Sequence, residues 1–252
     1  MIAALAMYHY PHNSAAHDRL WVLIRDGLRD CGIAAPDALD RDIGHMEAWE
    51  RPDLVLSQIC NLPYRARFRD KVTMIAACDY GVTGDLPGYY HSVFVVRADD
   101  PAQDMTAASA YPMAINEPLS NSGWGMPAQW AAAQGLTLNP VLRTGAHRDS
   151  LLAVAEGRAG LAAIDCITLR NLLAVEPEAK QVRLIGRTDA TPGMTFITRA
   201  GQYPNRYRAA IAAAIAALDP ADRDVLGLQG IVTLSDSAYD IALPPVPAAF
   251  AA

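Results

Sequence analysis

Hydrophobic positions along the chain fall into two alternating kinds of segment. Short runs rich in β-branched residues read as strands, and longer stretches with apolar residues three and four apart read as helices. The run at 2–7 (IAALAM) predicts a first strand. Residues 14–31 predict a helix, because Leu20, Ile24, Leu28 and Cys31 recur at near-helical spacing. Asn13 or Ser14 would cap this helix and Gly32 would stop it. Strands follow at 53–57 (DLVLS), 72–77 (VTMIAA) and 92–97 (SVFVVR), the last carrying the strongest strand signal in the chain.

A second set begins beyond residue 100. Strands are expected at 113–116, 138–142, 161–165, 182–185 and 194–198, with a last short one at 231–234. Helices are expected at 125–134 and 147–156, closed by Gly135 and Gly157, then at 166–175, 207–218 and 220–226. From Pro244 the chain ends in a Pro/Ala extension too rich in proline for regular structure.

Strands alternating with helices predict an α/β fold of mostly parallel sheets flanked by helices. Two β-rich crossings, near 92–97 and 192–198, bracket the middle of the chain. The simplest topology has two lobes, one built from 1–91 plus 192–252 and one inserted at 98–190. The crossings would then form a hinge, with a cleft between the lobes.

Composition narrows the function. At 252 residues with 52% apolar and 19% charged residues, the chain is an ordinary globular protein able to bury a substantial core. The net charge of −6 argues against a nucleic-acid partner, which needs a broad basic face. A small anion is not excluded, since a helix N-terminus holds an oxyanion with backbone N–H groups alone. No apolar run approaches the roughly 18–20 residues that span a bilayer, so no membrane insertion is expected. The N-terminal strand lacks the basic leader of a signal peptide. Either the protein works in the cytoplasm from Met1 as its native start, or an export signal was removed and it works in the periplasm.

Several chemistries find no support. Cys31, Cys60, Cys78 and Cys166 form no C-x-x-C pair, and the spacing of His9, His12 and His17 matches no zinc pattern. No Gly-rich nucleotide loop is present, so no cofactor is expected. A triad from Ser120 or Ser122, His147 and Asp165 lacks the G-x-S-x-G elbow that would expose a nucleophile.

In a parallel α/β sheet, ligands lie beyond the carboxyl ends of the strands. The residues expected there are Tyr8 after the first strand, Tyr64 after DLVLS, and Tyr90 just before SVFVVR. Next come Glu117, Ser120-Asn121-Ser122-Gly123 and Trp124 after the strand at 113–116, then His147 at a helix start and Asp165 at a strand end. Two hydroxyls and several N–H groups at a helix start make an anion cradle; equally, one serine there serves as an N-cap. His147 and Asp165 admit the same local alternative, as capping side chains. The tyrosines admit rim packing, and Glu117 a solvated loop charge.

Three motifs together resemble the phosphonate- and phosphate-binding proteins of ABC importers, a type II periplasmic binding protein family. They are Tyr90-x-Ser92 followed by VFVVRADD, Ser120-Asn121-Ser122-Gly123 with a proline after it, and GAHRDSLLAVAEGRAGLAAID. The resemblance runs over about residues 1–235. It implies that Ser120, Asn121 and Ser122 hold an oxyanion, that His147 and Tyr90 add hydrogen bonds, and that Asp165 meets the ligand's other end. Tyr8 and Tyr64 match first-lobe contacts. The family's central hydroxyl position is Asn121 here. The implied protein is no enzyme. It captures phosphonate, phosphate, phosphite or a similar anion in the interlobe cleft for an ABC-transporter permease. Rival readings on the same scaffold are a cytoplasmic enzyme, resembling a chorismate dehydratase or a thiamin pyrimidine synthase, and a ligand-sensing module.

Overall fold

The computed structural model describes residues 1–250. The chain divides into two compact units, one of Met1–Tyr89 with Pro192–Asp240, the other of Tyr90–Thr191 with the tail from Ile241.

The first unit is organised by one amphipathic helix. Ser14–Asp30 buries Ala16, His17, Leu20, Trp21, Ile24 and Leu28 on a single stripe. Full burial of Leu20, Ile24 and Leu28 stabilises the fold by roughly 2 kcal/mol each. The stripe packs on helix Pro204–Ala217, whose own buried face is Tyr207, Ala210, Ile211, Ala214 and Ile215. Close approach needs small residues: a Cβ on Gly27 would stand 3.3 Å from the Cβ of Ala210. Beside these helices lies a five-stranded sheet in the order Ile2–Ala4, Leu54–Ile59, Thr195–Arg199, Val72–Asp79, Gly230–Val232.

The second unit has its own five-stranded sheet, ordered Asn139–Arg143, Pro112–Ile115, Leu161–Asp165, Ser92–Arg97, Val182–Arg187. Phe94, Val96, Met113, Ile115 and Leu161 from three of these strands meet Trp124 in one core.

Both sheets are mixed rather than mostly parallel. Thr195–Arg199 runs antiparallel to both its neighbours in the first unit, and Ser92–Arg97 does the same in the second. The reason is topological. Each of these strands follows directly on a passage of the chain from one unit into the other, and starts at the edge where its unit's parallel strands end. From there it can only run the opposite way.

The chain also departs from expectation at its end. The tail from Ile241 groups with the second unit, not with the first. The Trp124 indole N–H donates to the Pro245 carbonyl at 2.8 Å, and Gln129 donates to the Ala242 carbonyl. A buried indole needs such an acceptor, and the Pro/Ala tail supplies it. Helix His45–Glu50 is an addition to the predicted elements, and the first strand closes early, at Ala4.

Candidate functional site

The second unit's topology gathers polar side chains along one edge. Pro112–Ile115 runs parallel to both Asn139–Arg143 and Leu161–Asp165, so Asn116, Thr144 and Asp165 emerge on the same side. Ser92 lies opposite Asp165 in the antiparallel register, which brings the start of its strand, and Tyr90 before it, to that side as well. Thr188 joins them, because its N–H donates to the Ser92 carbonyl at 3.0 Å.

Between Ile115 and helix Met126–Ala133 the chain makes a wide π-type turn, Asn121–Gly125, continuous with the helix. Ser120 begins it: its Oγ accepts from the Gly123 N–H at 3.0 Å, and its carbonyl accepts from the Trp124 and Gly125 N–H groups. The Ser120 side chain is thus an N-cap, and its hydroxyl proton is what it offers to another acceptor. The Gly123, Trp124 and Gly125 N–H groups are thus taken up by Ser120, which leaves the very start of the turn as the place where backbone can meet a ligand. Gly123 is required sterically, for a Cβ there would lie 1.8 Å from the Asn116 Oδ1.

Ser122 is held from two sides. Its carbonyl accepts from the Ser92 hydroxyl at 2.8 Å, and its own Oγ lies 2.7 Å from the His147 Nε2. Burial lowers the His147 imidazole from 6.5 to about 4, with the Ala163 backbone opposing weakly. The ring is therefore neutral at pH 7. When its Nε2 carries the proton, it donates to Ser122, and the Ser122 hydroxyl is then set to donate onward to an anion. Asn121 is fully buried, and its Nδ2 donates to the Tyr90 Oη at 3.0 Å and to the Thr191 Oγ1 at 3.2 Å.

Asp165 is also buried, and its Oδ1 caps helix Cys166–Val175 by accepting from the Ile167 and Thr168 N–H groups at 2.8 and 2.9 Å. Glu117 forms an ion pair with Arg143.

The first unit carries Tyr8 and Tyr64, each edge-on to another tyrosine. Tyr8 meets Tyr80 at 5.1 Å between ring centroids, and Tyr64 meets Tyr239 at 5.6 Å. Tyr8 sits at φ 59°, in the left-handed region that costs a side-chain-bearing residue roughly 1 kcal/mol or more. The Tyr239 hydroxyl lies 2.9 Å from the Thr195 Oγ1. Sequence patterns did not single out Tyr80, Tyr239, Asn116, Thr188 or Thr191. The one signal for Tyr80, Asn116, Thr188 and Thr191 was position, since each lies at or just beyond a strand, and Tyr239 had none.

Among the described residues no group of three or more His, Cys, Asp or Glu side chains could hold a metal ion. No disulfide forms among them. His9 instead lies 2.9 Å from the Ser14 hydroxyl, and its ring meets that of His17 edge-on.

Two histidines, the buried His17 and the half-buried His147, give the fold a pH dependence. His17 is lowered to about 4, first by burial and then by His9 and Arg41, and His147 is lowered to about 4 by burial. Unfolded histidines take up protons below about pH 6.5. The folded ones resist until about 4, so stability present above pH 6.5 is lost as pH falls through this window. The loss across the whole window is on the order of 3 kcal/mol per histidine, less for the half-buried His147. Urea midpoints should fall between pH 7 and pH 4.5, and His17→Gln should flatten that fall.

A family model described as the periplasmic substrate-binding protein of the phosphonate ABC transporter matches residues 44–239. The chain belongs to this family, whose members are substrate-binding components of transporters rather than enzymes. No curated protein matches the chain. Among solved structures it is similar to PhnD1 of Prochlorococcus marinus in complex with methylphosphonate, at 16% identity and a TM-score of 0.69, covering 95% of this chain and 93% of that one. It is also similar to a binding protein of a phosphonate ABC transporter from Pseudomonas aeruginosa, at 15% identity and a TM-score of 0.67, covering 95% and 82%. A Xanthomonas citri protein bound to chloride matches at 16% identity and a TM-score of 0.65, covering 91% and 90%. These neighbours have two-lobed periplasmic binding protein folds, and the α/β architecture here is theirs. Among the described residues no helix is long and apolar enough to cross a membrane.

Proposed function

We propose that this chain captures a phosphonate or phosphate-like oxyanion at the turn Asn121–Gly125 and delivers it to an ABC permease, working in the periplasm as its family does. The observation that carries the reading is the pair Ser122 and His147, a hydroxyl and a neutral imidazole 2.7 Å apart beside a helix start. Ser120 supplies a second hydroxyl, and the Ser122 N–H at the start of the turn is a further candidate donor. No lysine or arginine is needed, because a row of neutral donors aligned with the positive end of a helix favours an anion. Tyr90, in the same unit, is assigned as a further contact. Asp165 suits a ligand with a cationic or hydroxyl-bearing end, through whatever capacity its cap bonds leave.

The test is isothermal calorimetry of the purified chain against methylphosphonate, inorganic phosphate, sulfate and acetate at constant pH. The expected result is saturable binding of methylphosphonate or phosphate, with acetate far weaker. Absence of heat with every oxyanion, from protein whose circular dichroism is that of a folded α/β chain, would overturn the proposal.

A further inference from the structure

We infer that Asn121 acts as a positioning residue, bracketing the oxyanion turn to the two places where the chain enters and leaves the second unit, and does not itself grip the anion. The inference rests on the proposed anion reading and deepens it. Tyr90 and Thr191 are the first and last residues of the unit's continuous stretch. They are separated by a hundred residues of sequence, yet one carboxamide reaches both, at 3.0 and 3.2 Å.

An Asn side chain offers two N–H donors on a single nitrogen, and here each has an acceptor hydroxyl. A serine or threonine at this position carries one hydroxyl on a shorter arm and could not make both bonds. Asn121 is 0% exposed, so breaking the bracket would leave polar groups without partners in a dry setting. Neighbouring bonds reinforce the same connection. The Thr191 hydroxyl also contacts the Met126 sulfur at 3.2 Å, and the Ser92 hydroxyl donates to the Ser122 carbonyl.

The bracket has a chemical consequence for Tyr90. By accepting from Asn121 the phenol uses a lone pair, and its own proton becomes what it can donate. An oxyanion takes only donors, so Asn121 sets Tyr90 in the protonation geometry that an anion requires. The ligand is then held by Ser120, Ser122 and the turn's backbone, while Asn121 works through Tyr90 and Thr191.

A double-mutant cycle separates positioning from contact. Affinity for methylphosphonate is measured by calorimetry for the full chain, Asn121→Ala, Tyr90→Phe and the double variant, with inorganic phosphate as a second probe. Loss of one hydrogen bond to a charged ligand predicts about tenfold weakening for each single variant. If Asn121 acts through Tyr90, the double variant is weakened by about tenfold as well, not by about a hundredfold. Asn121→Ser, with Thr191→Val as its partner, repeats the cycle should the alanine variant fail to fold. Multiplicative losses in variants that keep the wild-type circular dichroism would overturn the bracket and leave the anion reading standing. A wild-type chain that binds neither probe would sink both together.

Discussion

Ser120→Ala combined with Ser122→Ala should weaken methylphosphonate or phosphate binding by at least about a hundredfold while the protein stays folded. Each hydroxyl would donate to a charged oxygen, and such bonds contribute roughly 1.5–3 kcal/mol apiece. Their joint loss therefore spans about 3–6 kcal/mol in binding. The cost to the fold is smaller and is shared by the two residues. Ser120 caps the turn through Gly123, and losing a cap costs about 1 kcal/mol. Ser122 keeps the bond from Ser92 to its backbone carbonyl in the variant but loses the one between its hydroxyl and the His147 Nε2, at a cost of about 1 kcal/mol or more. Calorimetry beside thermal melting reads both effects. Unchanged affinity in the double variant would remove these serines from the site.

Gly123→Ala should damage the site from within, with a loss of roughly 1–3 kcal/mol in stability and most of the anion affinity. The new Cβ would lie 1.8 Å from the Asn116 Oδ1 and 2.8 Å from its Cγ, so the Asn116 side chain must leave or the turn must open. The Asn116 Oδ1 is buried without a hydrogen-bond partner, so little holds that side chain where it is except packing. A second substitution exposes the mechanism. Asn116→Ala makes room, and the double variant Asn116→Ala/Gly123→Ala should recover stability relative to Gly123→Ala alone. Urea denaturation of the four proteins measures this coupling. Additive losses would show that the steric conflict is not what makes Gly123 necessary.

Much of the architecture was legible in the chain because local chemistry and global placement agree there. The run SVFVVR has no competing helical period, and it forms Ser92–Arg97 at the predicted bounds. Leu161–Asp165 and Cys166–Val175 also fall where the apolar pattern and the Asp165 cap put them. Strand direction was not legible. A strand's side chains alternate identically whichever way its partner runs, so SVFVVR carries no mark of its antiparallel neighbours. Helix His45–Glu50 was missed because six residues are too few to display a helical period.

The candidate site was legible in part for the same reason. Ser120 at a helix start and His147 at another can be seen from sequence, because caps and stops are local. The 2.7 Å approach of Ser122 to His147 depends on parallel strands placed side by side, which no local pattern encodes. Asn121 was the least legible of all. In sequence it stands among hydroxyls as one more ligand donor, whereas its amide is committed to Tyr90 and Thr191. Only the fold reveals where a side chain's hydrogen bonds are already spent.

The placement of Thr195–Arg199 between Leu54–Ile59 and Val72–Asp79 has a consequence for biosynthesis. As the nascent polypeptide emerges, the sheet that holds Ile2–Ala4 lacks its central member until Thr195–Arg199 has been translated. The segment Tyr90–Thr191 suffers no such delay, since all five of its strands arrive in uninterrupted order. The later-born half of the molecule is thus poised to collapse first, and the earlier-born half must wait, partly assembled, for its missing piece.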